Sequence, residues 1–178
     1  MFKKKINPIQ HHRFSQNIFE TILPINKELF NQIKNYKIKT DTELATTYQN
    51  NLNENLIEEI KNYLNNYILQ VGNILSKKVY NLKGVWIQKY KIADYHNLHF
   101  HAVGLNSYSF VLYIDCGNKS GSTRFFNIGY PYLCLDQYES KPMIGKCIIF
   151  LGALPHESIP SKDNKKIIVS GNINYNDL

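Results

Sequence analysis

From Gly84 onward the chain is a succession of short apolar runs, each closed by turn-forming residues, and this punctuation narrows the fold more than any other feature. The runs are GVWIQKYKI, NLHFHA, SYSFVLYID, STRFFN, YPYLCLD, KCIIFLG and KKIIVSGNI. They are rich in β-branched and aromatic residues, and most are too short to be helices. CGNKSGS, NIGYP, ESKPMIG and IPSKDN separate several of them, supplying the glycine, proline and asparagine that tight turns require. Seven or so short strands at this spacing predict a sandwich, a barrel or a jelly roll.

The preceding half reads differently. In NKELFNQIKNYKI, Asn26 is placed to cap a helix whose Leu29, Phe30, Ile33 and Tyr36 recur at helical spacing. A longer stripe follows between residues 54 and 78: Leu56, Ile57, Ile60, Leu64, Tyr67, Ile68, Val71, Ile74 and Leu75. A helix with one apolar stripe must bury it against another layer. The expected fold is therefore α+β, with N-terminal helices packed on one sheet of a jelly roll. We expect a single domain spanning residues 1–178, mostly helical over residues 1–83, with the jelly-roll core over residues 84–178.

Composition removes several functions. No apolar run approaches the roughly 20 residues needed to span a bilayer, and the basic start MFKKK has no apolar segment behind it, so no secretory signal is expected. Cys116, Cys134 and Cys147 are an odd set without paired spacing. They read as reduced thiols of a cytoplasmic protein, not as a disulfide frame. The net charge of +7 raises the question of nucleic acid, but only Arg13 and Arg124 are arginines and the lysines are spread along the chain. Bidentate recognition of phosphate or guanine favours arginine, so specific nucleic-acid binding is not expected.

Chemistry concentrates at three histidines. In an extended NLHFHA segment, alternate side chains share a face, so His99 and His101 point one way while Leu98 and Phe100 point the other. His156, in GKCIIFLGALPHESIP, follows a second apolar run and is flanked by Pro155 and Pro160. Two histidines at one strand and a third beyond another can form a facial three-ligand metal site, although imidazole suits Fe, Zn, Cu and Ni alike. Surface histidines are the other reading of this pattern.

The order WIQKYKIADYHNLHFH, SYSFVLYID, GSTRFF, PMIGKCIIFLGALPHESIP, KKIIVSGNI resembles the iron(II)/2-oxoglutarate-dependent oxygenases, and is similar in particular to their small, often phage-borne branch related to prolyl hydroxylases. The resemblance covers residues 86–173. It implies a double-stranded β-helix, the jelly roll of that family, with Fe(II) held by His99, His101 and His156. It also implies 2-oxoglutarate as co-substrate, with Lys166 at the distal carboxylate and Tyr90 and Tyr113 contacting the dianion. O₂ would be the second small-molecule partner, and the primary substrate would be a protein, peptide or metabolite. Two positions depart from the family pattern: His101 stands where a carboxylate is usual, and Lys166 where arginine is usual. Asp94 is the alternative acidic ligand. Trp86 and Gln88 share a face with Tyr90 and are candidates to line the pocket. Two rivals stay open: a cupin-like metalloprotein that does not use 2-oxoglutarate, and a non-catalytic protein on the same fold. A buried unpaired ammonium at position 166 calls for an anion, waters or a neighbouring acid.

Overall fold

The structure, a computed structural model, describes residues 10–14, 16–38, 45–48, 52–77, 79–101, 104, 106–127 and 136–176. Along the chain lie β1 (Gln10–Phe14), β2 (Gln16–Ile22), α1 (Lys27–Asn35), β3 (Ala45–Thr46), α2 (Glu54–Ile74), β4 (Val79–Lys89), β5 (His96–His99), β6 (Ser107–Asp115), β7 (Thr123–Phe126), β8 (Gln137–Ser140), β9 (Lys146–Leu151), β10 (His156–Ser158) and β11 (Ile167–Asn176). They form two antiparallel sheets in a jelly-roll-like arrangement. The larger has the order β1-β2-β9-β6-β11-β4-β3 and the smaller β5-β10-β7-β8.

The larger sheet is buried on both faces, and alternation along each strand divides its side chains between two cores. On β6, Tyr108, Phe110, Leu112 and Ile114 pack with the helices, whereas Val111 and Tyr113 face the smaller sheet. A strand covered on both sides must be apolar throughout, which is why SYSFVLYID reads as a continuous run. Helix α1 begins at Asn26, whose side chain accepts from the Leu29 amide at 3.2 Å, and it buries Leu29, Phe30 and Ile33. Helix α2 contributes Leu56, Ile60, Leu64, Ile68 and Val71 to the same cluster, with Ile57 half-buried against it. Each such side chain contributes roughly 1.5–3 kcal/mol on burial.

Several elements differ from the sequence-based expectation. Residues 1–83 also supply β1, β2 and β3 to the larger sheet. Strand β2 lies well inside it, with Ile18 in one core and Phe19 in the other. His11 and His12 belong to β1 at its edge, paired with Phe19 and Ile18. Helix α2 ends at Ile74, four residues before position 78. There Ser76 adopts a positive φ of 58° and the Lys77 amide turns back to the Gly72 carbonyl at 2.7 Å, closing the helix before a lysine enters its last turn. Strands β8 and β10 were not expected, because three or four residues carry too little alternation to be recognised. Apart from Asp136, the run expected at 130–136 lies outside the described residues, as does Cys134. Among the described residues no helix is long and apolar enough to cross a membrane.

One irregularity governs what faces the smaller sheet. Between β4 and β11 the register shifts at Gly171/Asn172, leaving Gly84 as the extra residue of a β-bulge. Gly84 has φ +59°, a conformation that costs glycine little and other residues more. Before the bulge, Tyr80 and Leu82 pack toward the helices; after it, Val85 and Ile87 do. The one-residue reset puts Trp86, Gln88 and Tyr90 on the opposite face, toward the smaller sheet.

Candidate metal centre and co-substrate pocket

His156 opens β10 and pairs directly with His99 on β5, and the next register pair is Ser158 with His96. His101 lies just beyond β5, where its amide bonds to the Gly152 carbonyl at 2.8 Å. The alternation expected for this segment holds: Leu98 is 52% and Phe100 61% exposed, while His99 and His101 turn inward. The ring centroids of His99 and His156 are 4.3 Å apart, those of His99 and His101 5.3 Å, and those of His101 and His156 5.1 Å. One donor nitrogen from each ring lies within 4.8 Å of the others.

A shared ion fits this donor set. Metal–imidazole bonds of about 2.1 Å place neighbouring donors about 3 Å apart, so small side-chain rotations close the triad. The tautomers also suit. His99 Nδ1 is 2.6 Å from the Asn97 carbonyl and His156 Nδ1 is 2.9 Å from the Leu154 carbonyl. A carbonyl can only accept, so each Nδ1 carries the proton and each Nε2 presents its lone pair. Burial keeps the rings neutral. Desolvation, reinforced by His99, lowers His101 to about 4. Desolvation also lowers His99, and it holds His156 well below the ordinary histidine range.

Two neighbours of the triad have other roles. Asp94 sits in the turn after β4, where Oδ2 accepts from the Lys91 amide at 2.7 Å and its carbonyl accepts from the Ser161 amide at 3.0 Å. It is not part of the donor cluster. His96 stacks on His99 at 3.9 Å between centroids, and desolvation lowers it to about 4 as well. Its flanking place before the pair gave no sequence signal for that stacking. Trp86 and Gln88 do line the cavity, and Trp86 stacks on His101 at 5.5 Å.

Deeper between the sheets stands Lys166, fully buried. Its Nζ donates to the Gly121 carbonyl at 2.7 Å and to Ser158 Oγ at 2.6 Å, and lies 4.4 Å from the Tyr90 ring centroid and 5.8 Å from that of Tyr113. A side chain at position 121 would run into the Ile159 carbonyl, so glycine lets this loop come close enough to meet the ammonium. Of the partners expected, a neighbouring acid is not found among the described residues; a carbonyl, a hydroxyl and two aromatic faces meet the ammonium. None carries a full negative charge, and desolvation lowers Lys166 to about 7. Tyr113 Oη lies 2.6 Å from Thr123 Oγ1. Burial raises the phenol pKa of both Tyr113 and Tyr90.

Two spaces meet at the histidines. The inner one, about 30 Å³, is bounded by Tyr90, Val111, Thr123, Ser158, Ile168 and the triad. The outer one, about 520 Å³, opens between Thr46, Tyr48, Trp86, Phe100 and Asn172 and also reaches His99 and His101.

A two-sheet, jelly-roll-like scaffold here brings together three imidazoles that could hold a metal ion. No family model matches the sequence, and no curated protein matches it. The fold does have solved counterparts. A viral collagen prolyl hydroxylase from Paramecium bursaria Chlorella virus-1, solved as a 2OG complex, superposes with a TM-score of 0.63 at 16% identity, covering 90% of this chain and 96% of that one. A prolyl-4-hydroxylase from Pseudomonas putida gives a TM-score of 0.60 at 12% identity, over 91% and 94% of the two chains. The non-haem α-ketoglutarate-dependent epimerase SnoN of nogalamycin biosynthesis gives 0.65 at 6% identity, over 87% and 76%. The chain thus has the fold of the 2-oxoglutarate–Fe(II) oxygenases, as the motif order implied.

Proposed function

We propose that this protein is a non-haem iron, 2-oxoglutarate-dependent oxygenase and that hydroxylation is its reaction. In this reading, residues 84–178 of a single domain form a double-stranded β-helix in which His99, His101 and His156 hold Fe(II). Lys166, assisted by Tyr113 and Tyr90, receives the co-substrate. The observation that carries the reading is one geometry: three neutral imidazoles, two with their tautomer set by backbone carbonyls, at a pocket whose walls Ser158 and Tyr90 are backed by a buried lysine. A bound iron would supply O₂ activation coupled to oxidative decarboxylation of the 2-oxo acid to succinate and CO₂.

The chain's own part is binding, charge balance and exclusion of water. Three neutral imidazoles leave the full charge of a divalent ion uncompensated, and a dicarboxylate offsets it. Lys166 would contribute one further positive charge from behind Ser158 and Tyr90, as a point charge without the two-pronged fork of arginine. On binding, Lys166 Nζ would turn from Gly121 and Ser158 toward the carboxylate, and Tyr113 would turn its hydroxyl from Thr123. The aromatic walls then keep water from the ion pair. The primary substrate would approach through the outer space, beside Trp86 and Phe100.

An anaerobic titration with Fe(II) and 2-oxoglutarate tests the proposal. The expected result is a weak visible charge-transfer band that saturates at one equivalent, followed by succinate formation when air is admitted. A protein that binds iron but develops no band and forms no succinate would instead be the cupin-like metalloprotein.

A further inference from the structure

The outer space beside His99 and His101 has walls of one chemical kind. Among the described residues that line it, none is a lysine, arginine, aspartate or glutamate, although the chain as a whole carries a net charge of +7. Three of the lining side chains are aromatic: Tyr48, Trp86 and Phe100. Trp86 is almost fully buried, its ring stacked on His101 and perpendicular to that of Tyr48 at 5.0 Å between centroids. Tyr48 and Phe100 are 65% and 61% exposed, so they hold the free aromatic surface of this space. A lone exposed aromatic residue needs no explanation, but two at one cavity mark a place where a ligand is held.

Two amides, Gln88 and Asn172, also line this space. The carbonyl oxygen of each is already engaged: Gln88 Oε1 accepts from the Tyr90 hydroxyl at 3.3 Å, and Asn172 Oδ1 accepts from Ser109 Oγ at 3.0 Å. What each amide keeps for a ligand is its NH₂ group, a neutral donor. We infer that the outer space is the substrate site and that it takes an uncharged planar ring carrying carbonyl oxygens. The inference rests on the oxygenase reading above and deepens it by naming the substrate class. Charge decides first: an ionised group entering here would give up water without meeting an opposite charge, which is costly. Shape comes next. A flat ring can lie against Tyr48 and Phe100 with more contact than a puckered one, and stacked or edge-on aromatic pairs contribute beyond the area they bury. Ring carbonyls can then accept from the two NH₂ groups, which fix its orientation as the few polar groups of an apolar pocket do.

Leu98 is a built-in control. It is exposed like Phe100 and lies two residues before it, on the same side of an extended chain, yet it does not line the outer space. If exposed apolar side chains drew a ring without selection, removing Leu98 or Phe100 would matter alike. If the walled space draws it, only Phe100 would.

The test is calorimetric titration of the full chain, without added metal, against a small set of probes. They are 2-quinolone, a flat uncharged lactam; naphthalene-2-sulfonate, flat but ionised; and N-acetylprolinamide, uncharged and carbonyl-bearing but puckered. Quenching of Trp86, the single tryptophan of the chain, reports arrival at this space. 2-Quinolone should bind at least about tenfold more tightly than either other probe. Tyr48→Ala and Phe100→Ala should each weaken it severalfold, up to about tenfold, and Gln88→Leu should do so to a similar extent. Leu98→Ala should match wild type, and Tyr48→Lys should shift the preference toward the sulfonate. Circular dichroism verifies folding; should Gln88→Leu not fold, the exposed positions Tyr48 and Phe100 carry the comparison. No binding of 2-quinolone, tighter binding of either other probe, or wild-type affinity in both Tyr48→Ala and Phe100→Ala would overturn the inference while leaving the oxygenase reading standing. An Fe(II) and 2-oxoglutarate titration without the charge-transfer band would overturn that reading, and with it the assignment of the ring as substrate.

Discussion

Replacing Lys166 with methionine separates the two things a buried lysine does here. Burial brings Lys166 from the ordinary lysine value to about 7. At 1.36 kcal/mol per pH unit, the charged form bears on the order of 5 kcal/mol in the ligand-free pocket. Methionine removes that penalty. It also leaves the Gly121 carbonyl and Ser158 hydroxyl without their donor, at roughly 1–3 kcal/mol each. These terms largely offset, so Lys166→Met should change stability by no more than about 3 kcal/mol at neutral pH. The co-substrate tells the two proteins apart. A charge-assisted hydrogen bond contributes about 1.5–3 kcal/mol, so 2-oxoglutarate should bind the variant more than about tenfold more weakly, with iron binding intact. The pH dependence is sharper still. The dianion binds the protonated lysine and raises its pKa, so affinity is full below pH 7 and falls as pH rises above it. From pH 6.5 to 8 the wild-type Kd should increase by roughly eightfold, the loss set by a group titrating near 7. The variant should lack this slope, and histidine contributions, common to both proteins, cancel in the ratio. Without ligand, the unfolded chain keeps its proton to about pH 10 whereas the folded chain releases it near 7. Wild-type stability should accordingly rise across that window, and the variant should not share the rise. Calorimetric titration at several pH values reads the affinity, and thermal melts read the stability. Equal 2-oxoglutarate affinity in the two proteins, or an identical pH slope, would refute the assignment of Lys166 as anchor.

Substitution of His99, His101 or His156 by alanine should each abolish most iron binding, whereas His96→Ala and Asp94→Asn should retain it; metal analysis after gel filtration decides. Leu64→Ala should destabilise the protein by about 2–5 kcal/mol in denaturant melts, the range for a large buried aliphatic side chain, without altering metal affinity, because the α2 core lies across the larger sheet from the histidines. Gly84→Val should cost at least about 1 kcal/mol, through its positive φ. It should also weaken metal binding by disturbing Trp86, which stacks on His101; unchanged affinity would show that the bulge does not support His101.

Residues adjacent in the chain were the legible part of this protein. The helical stripe from Leu56 to Val71, the doubly buried run Ser107–Asp115 and the shared face of His99 and His101 follow from a 3.6-residue or two-residue period, which local backbone geometry imposes wherever the segment folds. The resemblance in motif order implied a shared site for His156 and Lys166, and the ten-residue interval puts Lys166 on the strand parity of Ile168 and Ser170, which face the cavity. Tertiary structure decided the rest. Strand β2 enters the larger sheet beside β9, more than a hundred residues away in sequence, because only there are both Ile18 and Phe19 covered. The bulge at Gly84 turns Trp86 toward His101, the register of β10 brings His156 opposite His99, and the fold carries Asn172 to the outer space that His101, seventy-one positions earlier, also lines. None of these has a local period to reveal it: each pairing exists because two sheets and two helices together bury more apolar surface in this register than in any shifted by one residue.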